Sequence, residues 1–369
     1  MRIGVNGAFL GDAYNGISTY TEGLIRSLAQ GPDECVVYSS APRLEGQRNG
    51  ISLRRTPKML RAERGTMASL ARLLWMQTVL PLRLRQDRID LLLSPLAEGV
   101  FRTSVRQIIQ VHDLIPLFYP DECPRWHPYY KTALPRLLAR ARMVLVDSAH
   151  TRTDVLREYG VAEENVSVVY PGINSHFFGA DAGSAPPGFD LTAFFLFVGT
   201  YSPRKNLHTV LRAFSRIHGE LPHRLVVVAY PDQFMPAVQQ LASELGIVEK
   251  LRFYSGLTRS ELLYLYRNAT ALLLLSEYEG FGYPAVEAMA VGTPCIVSDS
   301  TSVREIVEDA GIKVPSRDVE AAMTAMRKIA ADGEYRKTLG GLGIRQARKF
   351  TWENTCKQVR TAVASSFCG

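Results

Sequence analysis

Cysteine is scarce in this sequence, and the few cysteines are scattered. Five occur among 369 residues, and no two are spaced as a CxxC pair. An odd, scattered set argues against both a disulfide framework and a structural zinc site, so we expect reduced thiols. The five are Cys35, Cys123, Cys295, Cys356 and Cys368.

Long hydrophobic runs are also lacking. No run of about 18 apolar residues occurs, which excludes a membrane-spanning helix. The 28 glycines and 20 prolines are ordinary numbers and exclude a collagenous or low-complexity chain. The first residues, Met1 to Val5, enter a strand pattern at once and lack the charged-then-apolar layout of a secretory signal. We therefore expect a cytoplasmic protein.

Acidic residues are scarce between residues 51 and 88. This stretch holds nine arginines and lysines against two acids, so its excess equals the net charge of +7 of the whole chain. Such a patch indicates either an anionic partner or a solvated face that happens to be rich in arginine.

The same stretch contains a helical pattern with two faces. Arg61, Arg64 and Arg72 fall within about 80° on a helical wheel, and they form a candidate patch for a membrane or an acceptor. Four apolar residues lie on the opposite side, and Pro81 ends the pattern; the four are Met67, Leu70, Leu73 and Leu74. Such a helix can lie in an anionic membrane interface, and it can equally pack its apolar face on its own sheet.

Short apolar runs alternate with helical patterns along the whole chain, about every 25 residues, which is typical of βα units and a parallel sheet. At roughly 100 to 200 residues per domain, the length predicts two domains. Apolar residues from Leu207 to Ile217 fall on one face and predict a core-facing helix. The predicted strands cover residues 3–6, 35–38, 89–93, 107–111, 143–146, 166–169, 194–198, 225–229, 251–254, 271–275 and 294–297.

A stretch of small residues with two prolines, 179–188, predicts the linker between the domains. The sequence thus predicts an α/β protein with two doubly wound parallel-sheet domains, at 1–180 and 190–350. Open α/β sheets bind ligands at the carboxyl ends of their strands, so we expect the two sheets to face a central cleft.

The richest segment for chemistry is 276–290. Pro284 suits the first turn of a helix after the strand, and Gly282 lets the preceding backbone turn tightly and approach a ligand. The exposed N–H groups of such a helix start can bind a phosphate. Glu279 and Glu287 can then accept hydrogen bonds from two ends of one polar ligand. Taken singly, Glu287 would only complement the helix dipole and Glu279 would be a solvated loop acid.

Two further candidates lie in the first half. Gly16 opens a helix in the run Asn15-Gly16-Ile17-Ser18-Thr19-Tyr20, where the helix start again favours phosphate. His112 ends a buried strand, and a lone histidine there is more often structural than functional. No GxGxxG fingerprint follows the first strand, so a nicotinamide dehydrogenase is poorly supported.

Together these residues resemble the retaining glycosyltransferases of the GT-B fold, a large family with a Glu-x7-Glu signature, and in particular its family 4-like mannosyltransferase branch. The resemblance extends over nearly the whole chain and implies two Rossmann-like domains, the first binding the acceptor and the second the nucleotide sugar. It also implies a terminal helix, at about 351–369, that returns to the first domain. Besides Glu279 and Glu287, the matching pieces are Val111-His112-Asp113-Leu114, Asp147-Ser148-Ala149-His150-Thr151, Val169-Tyr170-Pro171-Gly172, Gly199-Thr200-Tyr201-Ser202-Pro203-Arg204-Lys205-Asn206-Leu207 and Gly292-Thr293-Pro294.

The resemblance implies that Glu287 binds the ribose and Glu279 the hydroxyls of the donor sugar. The backbone of Phe281, Gly282 and Tyr283 would hold the diphosphate.

Two cations complete the expected donor site. Arg204 and Lys205 would stabilise the charge that grows on the departing diphosphate. Many relatives carry arginine directly after the strand glycine, here Gly199, whereas this chain has Thr200, so Arg204 is expected to serve instead. Two cations near a helix start oppose its dipole, which itself hints at a ligand.

The remaining site residues are also assigned by the resemblance. The loop of Ser255, Gly256 and Leu257 is expected to border the base, and Gly16 to meet the donor diphosphate or an acceptor phosphate. His112 would contact the donor sugar without being a general base, because in this family the departing phosphate is thought to take the acceptor proton. Asp113 either orients His112 or caps the segment that follows.

No DxD triplet and no cluster of metal ligands occurs in the sequence, so we expect neither a metal nor another cofactor. The closest similarity implies transfer of mannose from GDP-mannose to a polyprenyl-diphosphate-linked glycan in polysaccharide or O-antigen assembly. A UDP-sugar-dependent glucosyl or N-acetylglucosaminyl transferase is the alternative. The enzyme would then work in the cytoplasm, peripherally on an anionic membrane surface.

Other functions are less well supported. A glycogen-type phosphorylase would need a much longer chain and a lysine that carries pyridoxal phosphate. A non-catalytic protein that binds nucleotide sugars or nucleic acid is a remote alternative; nucleic acid is not expected, because the basic stretch lacks interleaved aromatic residues.

Overall fold

The computed structural model describes residues 1–12, 16–44, 50–179 and 181–365. The chain forms two units, one comprising Met1–Gly172 together with Trp352–Gly369 and the other Ile173–Thr351. The chain therefore leaves the first unit at Gly172, eight residues before the boundary that the sequence predicted.

The first unit is built on a seven-stranded parallel sheet with the strand order β3-β2-β1-β4-β5-β6-β7. Its central strands are buried on both faces, which explains why they appear in the sequence as continuous apolar runs. The strands are β1 (Arg2–Asn6), β2 (Glu34–Tyr38), β3 (Ile51–Arg54), β4 (Leu91–Ser94), β5 (Arg106–Val111), β6 (Met143–Val146) and β7 (Val166–Val168).

Helices connect these strands, and their ends follow local chemistry. The last of them, α7, begins where Ser148 Oγ accepts a hydrogen bond from the Thr151 N–H at 3.1 Å and ends at Gly160 in the left-handed conformation. The described helices of this part are α1 (Gly16–Ala29), α2 (Gly65–Thr78), α3 (Leu80–Gln86), α4 (Ile115–Phe118), α5 (His127–Thr132), α6 (Leu134–Leu138) and α7 (Ala149–Tyr159).

The second unit repeats the plan with six parallel strands in the order β10-β9-β8-β11-β12-β13. They are β8 (Phe194–Gly199), β9 (Arg224–Ala229), β10 (Leu251–Tyr254), β11 (Ala271–Leu274), β12 (Cys295–Ser298) and β13 (Gly311–Val314). The helices are α8 (Leu207–Ser215), α9 (Met235–Glu244), α10 (Arg259–Asn268), α11 (Tyr283–Ala290), α12 (Thr301–Val307), α13 (Val319–Ala331) and α14 (Gly333–Ala347). The predicted core-facing helix is confirmed as α8, whose apolar residues are fully buried.

Two strands were missed by the sequence analysis, and both lie at a sheet edge. β3 is half-buried throughout, and β13 has a single fully buried residue, Val314. An edge strand is covered less completely than a central one, so neither shows the uninterrupted apolar run on which the prediction rested.

The linker predicted at 179–188 does not connect two bodies. Its described residues pack within the second unit, where the Ser184 N–H donates to the Ser260 carbonyl at the start of α10. Gly183 has a φ of +72°, and a Cβ there would lie 2.5 Å from the Ser260 carbonyl oxygen. Small residues here allow close packing on α10 rather than flexibility.

The chain then returns to the first unit as the terminal helix α15 (Trp352–Ser365). It packs against α1, where a Cβ at Gly23 would collide with the Trp352 ring. Four cysteines lie among the described residues, and none of them is in a disulfide. Residues 366–369, which the predicted terminal helix included and which contain Cys368, lie outside the described residues. In the described part of the chain, no helix has the length and apolarity needed to cross a membrane.

The prediction of an exposed arginine patch is wrong for two of its three members. Arg61 precedes α2 and is buried, with its guanidinium donating to Ser40. Arg72 is buried in α2 and makes paired hydrogen bonds with Glu98, at 2.9 Å and 2.7 Å. Only Arg64 is exposed. A helical pattern predicts that an arginine is exposed, because an isolated charge is costly to bury. Here partners from other parts of the fold compensate the burial of the Arg61 and Arg72 guanidinium groups.

Candidate functional site

The segments that carry Lys205 and Glu279 lie at the point where the strand order of the second sheet reverses. β8 and β11 are neighbours, and the chain leaves them in opposite directions along the sheet. Such a switch point opens a crevice at the carboxyl ends of the strands. The turn 203–205 follows β8 and the loop 275–282 follows β11, so the fold brings together two segments that are distant in sequence.

Lys205 and Glu279 meet at this edge. The Lys205 Nζ lies 2.6 Å from Glu279 Oε1, and Ser276 Oγ donates to the same oxygen at 2.7 Å. Burial raises the pKa of Glu279, but the neighbouring Lys205 and Arg204 outweigh it, so the net pKa lies below its usual range. Glu279 is therefore an ionised, buried carboxylate held by two donors.

Arg204 stabilises the loop that carries Glu279 through backbone hydrogen bonds. Its guanidinium donates to the Tyr278 carbonyl at 2.7 Å and lies 3.8 Å from Glu279 Oε2. Its own carbonyl accepts from the Glu277 N–H at 2.8 Å. Because Arg204 is only 7% exposed, its charge acts in a poorly solvated region, where electrostatic interactions are strong.

The sequence analysis gave no role to Asn206, which locks the two segments together. Its φ is +54°, and its side-chain amide donates to the Leu275 carbonyl at 3.0 Å and to the Ser316 carbonyl. Thr209 Oγ1 in turn donates to the Asn206 Oδ1. Asparagine tolerates the left-handed conformation better than most residues. An asparagine directly after Lys205 could therefore have indicated a left-handed turn at this position from the sequence.

Gly282 precedes α11 with a φ of +100° and a ψ of 51°, a conformation that favours glycine. α11 begins at Tyr283, one residue before the predicted start at Pro284. Phe281 is buried, with its ring 5.2 Å from the Tyr283 ring and 5.5 Å from the Phe350 ring. α11 thus begins four residues after Glu279, and a helix start of this kind is the arrangement that an anion site uses.

Glu287 lies on the second turn of α11 and bonds to a tyrosine. The hydroxyl of the fully buried Tyr266 donates to Glu287 Oε2 at 2.8 Å. Burial raises the pKa of Glu287 to about 7, although the hydrogen bond from Tyr266 opposes the rise. Near neutral pH this carboxyl group therefore exists in both protonation states. Sequence reasoning identified Glu287 but not Tyr266.

The loop proposed to border the base lies apart from this cluster. Ser255, Gly256 and Leu257 follow β10, which is the edge strand and lies two strands from β8. At about 4.8 Å per strand, the separation is roughly 10 Å. Ser255 and Gly256 are exposed, and Gly256 has a φ of +67°. Gly199, at the end of β8, lies next to the Lys205 side chain.

In the first unit, His112 follows β5 and belongs to a buried polar network. Its Nδ1 lies 2.8 Å from Asp147 Oδ2, and its Nε2 lies 2.9 Å from the Pro95 carbonyl. Gln110 Nε2 donates to the other Asp147 oxygen at 2.6 Å, and the Tyr20 hydroxyl donates to Gln110 Oε1. The sequence analysis assigned no role to Asp147, Gln110 or Tyr20, because their common network depends on three neighbouring elements.

This geometry favours the imidazolium form of His112. Both ring nitrogens face acceptors, and a carbonyl can only accept a hydrogen bond. Burial lowers the pKa of His112, but the Asp147 carboxylate more than offsets this, so the net pKa lies above its usual value. Asp113 Oδ1 accepts a hydrogen bond from the N–H of Ile115, the first residue of α4, at 2.9 Å.

Gly16 is the first residue of α1 and is exposed, as expected for a helix start. Asn15, which precedes it in the predicted phosphate-binding run, lies outside the described residues. Among the described residues, no group of three or more histidines, cysteines and acids could hold a metal ion.

Comparison with known proteins accounts for both units. The family profile described as Glycosyltransferase Family 4 matches residues 14–177, and that described as Glycosyl transferases group 1 matches residues 187–345. The chain is 29% identical over 270 residues to the O-antigen chain mannosyltransferase B of Escherichia coli, covering 70% of each protein. It is 30% identical over 223 residues to the O-antigen chain mannosyltransferase RfbU of Salmonella typhimurium, covering 60% of each.

Among solved structures, a sucrose-phosphate synthase from Thermosynechococcus elongatus is similar over 100% of this chain and 99% of its own, with a TM-score of 0.79 at 20% identity. This likeness and the two parallel-sheet units show the GT-B fold. The two profiles, the mannosyltransferase relatives and the fold agree, and the chain therefore belongs to the GT-B glycosyltransferases of the family 4-like group.

Proposed function

We propose that the protein is a retaining glycosyltransferase that transfers mannose from GDP-mannose to a lipid-linked glycan in O-antigen or related polysaccharide biosynthesis. The observation that carries the proposal is the convergence of Lys205 and Arg204 on Glu279, in the loop that leads into α11 at the switch point of the second sheet. A buried cationic site at a helix start matches a diphosphate leaving group. The names of the mannosyltransferase relatives support mannose as the sugar.

In the proposed reaction, the bond between the anomeric carbon and the β-phosphate oxygen breaks, and a bond from an acceptor hydroxyl oxygen to that carbon forms on the same face. The acceptor proton passes to the departing phosphate. Lys205, Arg204 and the α11 N–H groups stabilise the negative charge that develops on this phosphate. Because these donors are already oriented by their own contacts, little reorganisation accompanies the charge separation.

The two carboxylates have separate roles in this proposal. Glu279 binds hydroxyls of the donor sugar. Because Glu279 also forms an ion pair with Lys205, it holds the Lys205 ammonium group toward the phosphate. Glu287 binds the ribose, with Tyr266 fixing one of its oxygens. Metal independence is part of the proposal, because the cations and the helix start supply the charge that a divalent ion would otherwise supply. We place this activity in the cytoplasm.

A thermal-shift screen tests the donor. A nucleotide that binds only the folded state at a hundredfold excess over its Kd stabilises it by about 2.7 kcal/mol. We expect GDP and GDP-mannose to raise the melting temperature more than UDP, ADP or their sugars at equal concentration. A larger shift with UDP-glucose or UDP-N-acetylglucosamine would instead assign a UDP-sugar-dependent transferase. No shift with any nucleotide would contradict the proposed function.

The affinity for GDP is expected to depend on the protonation of Glu287. An ionised carboxylate accepts hydrogen bonds from two ribose hydroxyls, whereas the protonated acid must donate at one oxygen. The pKa of Glu287 in the unliganded protein is about 7, so binding weakens as the pH falls below this value, by about tenfold per pH unit.

Isothermal titration between pH 6 and pH 8 measures this effect. The Glu287→Gln variant is the control, because it retains the shape of the side chain but cannot titrate. Subtracting its pH profile removes the contribution of the ligand's own phosphate groups. Parallel profiles for the two proteins would show that Glu287 does not bind the nucleotide through its ionised form.

A further inference from the structure

A cavity lined by arginines lies at the amino-terminal edge of the first sheet. It has a volume of about 440 Å³ and is open to solvent. The ten described residues that line it include four arginines but no aspartate or glutamate. We call it the arginine cavity, and its arginines are Arg102, Arg106, Arg140 and Arg142.

The arginine cavity lies at the edge of the sheet opposite to His112. β5, β6 and β7 are neighbours and run parallel. Arg106 is the first residue of β5, and the lining residues Arg142 and Asn165 directly precede β6 and β7. His112 directly follows the other end of β5, and six residues of strand correspond to about 20 Å. The cavity is therefore separate from the polar network around His112.

The two stretches that supply the arginines contain no acids. Neither 99–112 nor 123–146 holds an aspartate or a glutamate, and each contributes two of the four arginines. The acids nearest along the chain to a lining residue are Glu163 and Glu164, and Glu163 is engaged by Arg152 at 2.8 Å. The segments that form the cavity thus bring cations together without bringing acids.

Hydrogen bonds hold the walls of the arginine cavity in place. The Gln107 side chain closes the loop before β5, because its Nε2 donates to the Val100 carbonyl at 2.7 Å and its Oε1 accepts from the Val100 N–H at 2.8 Å. Arg140 Nη1 donates to the Phe101 carbonyl at 2.8 Å, and the Arg142 N–H donates to the Gln107 carbonyl at 2.8 Å. The segments that carry the arginines therefore need no rearrangement to bind a ligand, which lowers the cost of binding.

The fold explains only part of this concentration of charge. Arg140 and Arg142 follow the end of α6, where a cation interacts favourably with the helix dipole. Arg102 and Arg106 lie in a loop and at the start of β5, so this explanation does not extend to them. Like charges around one cavity repel one another, and a bound anion would relieve that repulsion.

We propose that the arginine cavity binds a soluble oligophosphate, either inorganic or as the phosphate chain of a nucleotide. The planar guanidinium group forms paired hydrogen bonds with phosphate oxygens. Arginines from two segments can engage successive phosphate groups of one chain, and the volume lies within the range of about 300 to 1,000 Å³ of small-molecule sites. The inference goes beyond the proposed function and does not depend on it, because the cavity belongs to the first unit alone.

Isothermal titration with tripolyphosphate tests the inference, at constant ionic strength and with saturating GDP present to occupy a nucleotide site elsewhere. We expect one bound tripolyphosphate per chain, with affinity rising from orthophosphate to pyrophosphate to tripolyphosphate. Arg102→Gln and Arg106→Gln should each weaken binding by about tenfold, because each removes a charged hydrogen-bond donor. Titration with ATP distinguishes the two sources: tighter binding than that of tripolyphosphate supports a nucleotide, and weaker binding supports an inorganic chain.

The matched control removes the same charge from another surface of the first unit. Arg83→Gln with Arg85→Gln neutralises two exposed arginines on α3 and should leave the Kd for tripolyphosphate unchanged. Lys205→Met should also leave it unchanged, since Lys205 belongs to the second unit. Circular dichroism of each variant checks the fold. As a second measurement, tripolyphosphate should raise the melting temperature of the wild-type protein but not that of Arg102→Gln with Arg106→Gln.

Four results would overturn the inference. They are no binding of millimolar tripolyphosphate to the wild-type protein, unchanged binding in Arg102→Gln with Arg106→Gln, and equal weakening in the control pair on α3, which would indicate non-specific attraction. The fourth is tighter binding of dihexanoyl phosphatidic acid than of pyrophosphate, which would assign the cavity to a lipid headgroup. Failure of GDP to bind, with tripolyphosphate binding retained, would contradict the proposed function alone.

Discussion

Replacing Lys205 with methionine is expected to lower kcat by about 10²- to 10³-fold, with a much smaller effect on the Kd for GDP. In the proposed reaction, the ammonium group stabilises charge that is present mainly in the transition state, so its loss slows the chemical step more than it weakens binding. The magnitude is that of removing one oriented donor from a developing anion. Single-turnover kinetics with GDP-mannose measures kcat, and isothermal titration measures the Kd.

A double variant separates catalysis from a merely structural role. Lys205 also neutralises the buried Glu279, at 2.6 Å, so the single variant leaves that carboxylate with Arg204 as its remaining cation. Lys205→Met combined with Glu279→Gln restores the balance of charge without restoring the ammonium. Turnover should remain slow in the double variant when it is compared with Glu279→Gln alone. If the double variant turns over as fast as Glu279→Gln alone, Lys205 acts only by neutralising Glu279.

Breaking the buried pair of Arg72 and Glu98 is expected to destabilise the first unit by about 3 to 5 kcal/mol. Both side chains are nearly inaccessible to solvent, at 3% and 4%, and Arg72 also donates to the Leu60 carbonyl. In Arg72→Met, the Glu98 carboxylate would stay buried without its partner. The double variant Arg72→Met with Glu98→Leu should recover most of the loss, because well-packed apolar residues commonly replace a buried ion pair at little cost.

Urea unfolding followed by tryptophan fluorescence measures this effect in the relevant unit. All three tryptophans, Trp75, Trp126 and Trp352, belong to the first unit, so their emission reports its unfolding rather than that of the second. Arg83→Met is the matched control, since Arg83 is exposed on the neighbouring helix and its loss should change the free energy of unfolding by less than about 0.5 kcal/mol. A stability change in Arg72→Met no larger than that of the control would show that the buried pair is not needed.

Most of the fold could be predicted from the sequence because it depends on local patterns. The central strands are buried on both faces and therefore appear as uninterrupted apolar runs, and α8 shows a single apolar face. The edge strands β3 and β13 were missed because partial burial leaves no such run. The predicted interdomain linker at 179–188 was misplaced. Proline and glycine residues indicate that a helix stops there, but they do not show that the segment packs on α10 within the second unit.

For the candidate site, the sequence identified side chains but not their partners. The residues from Ser276 to Ala290 predicted a helix start that can bind phosphate, and the resemblance to the family implied that Lys205, Glu279 and Glu287 belong to a site for a diphosphate sugar. Their contacts depend on which strands are neighbours, which no local pattern reveals. Asn206 donates to the Leu275 carbonyl and Tyr266 donates to Glu287, both more than twenty positions away, so no local pattern could identify these contacts.

By itself, then, the sequence determined the two α/β units, the positions of their buried strands along the chain and the identity of the charged groups after β8 and β11, because periodicity and residue chemistry are local properties. The tertiary structure alone decided the protonation of Glu287, the network around His112 and the direction in which α2 faces. Each of these depends on burial and on partners from distant elements. Arg72 illustrates the reason: a guanidinium is exposed by default, and only the carboxylate of Glu98, brought to it by β4, makes it an interior residue and turns the leucines of α2 outward.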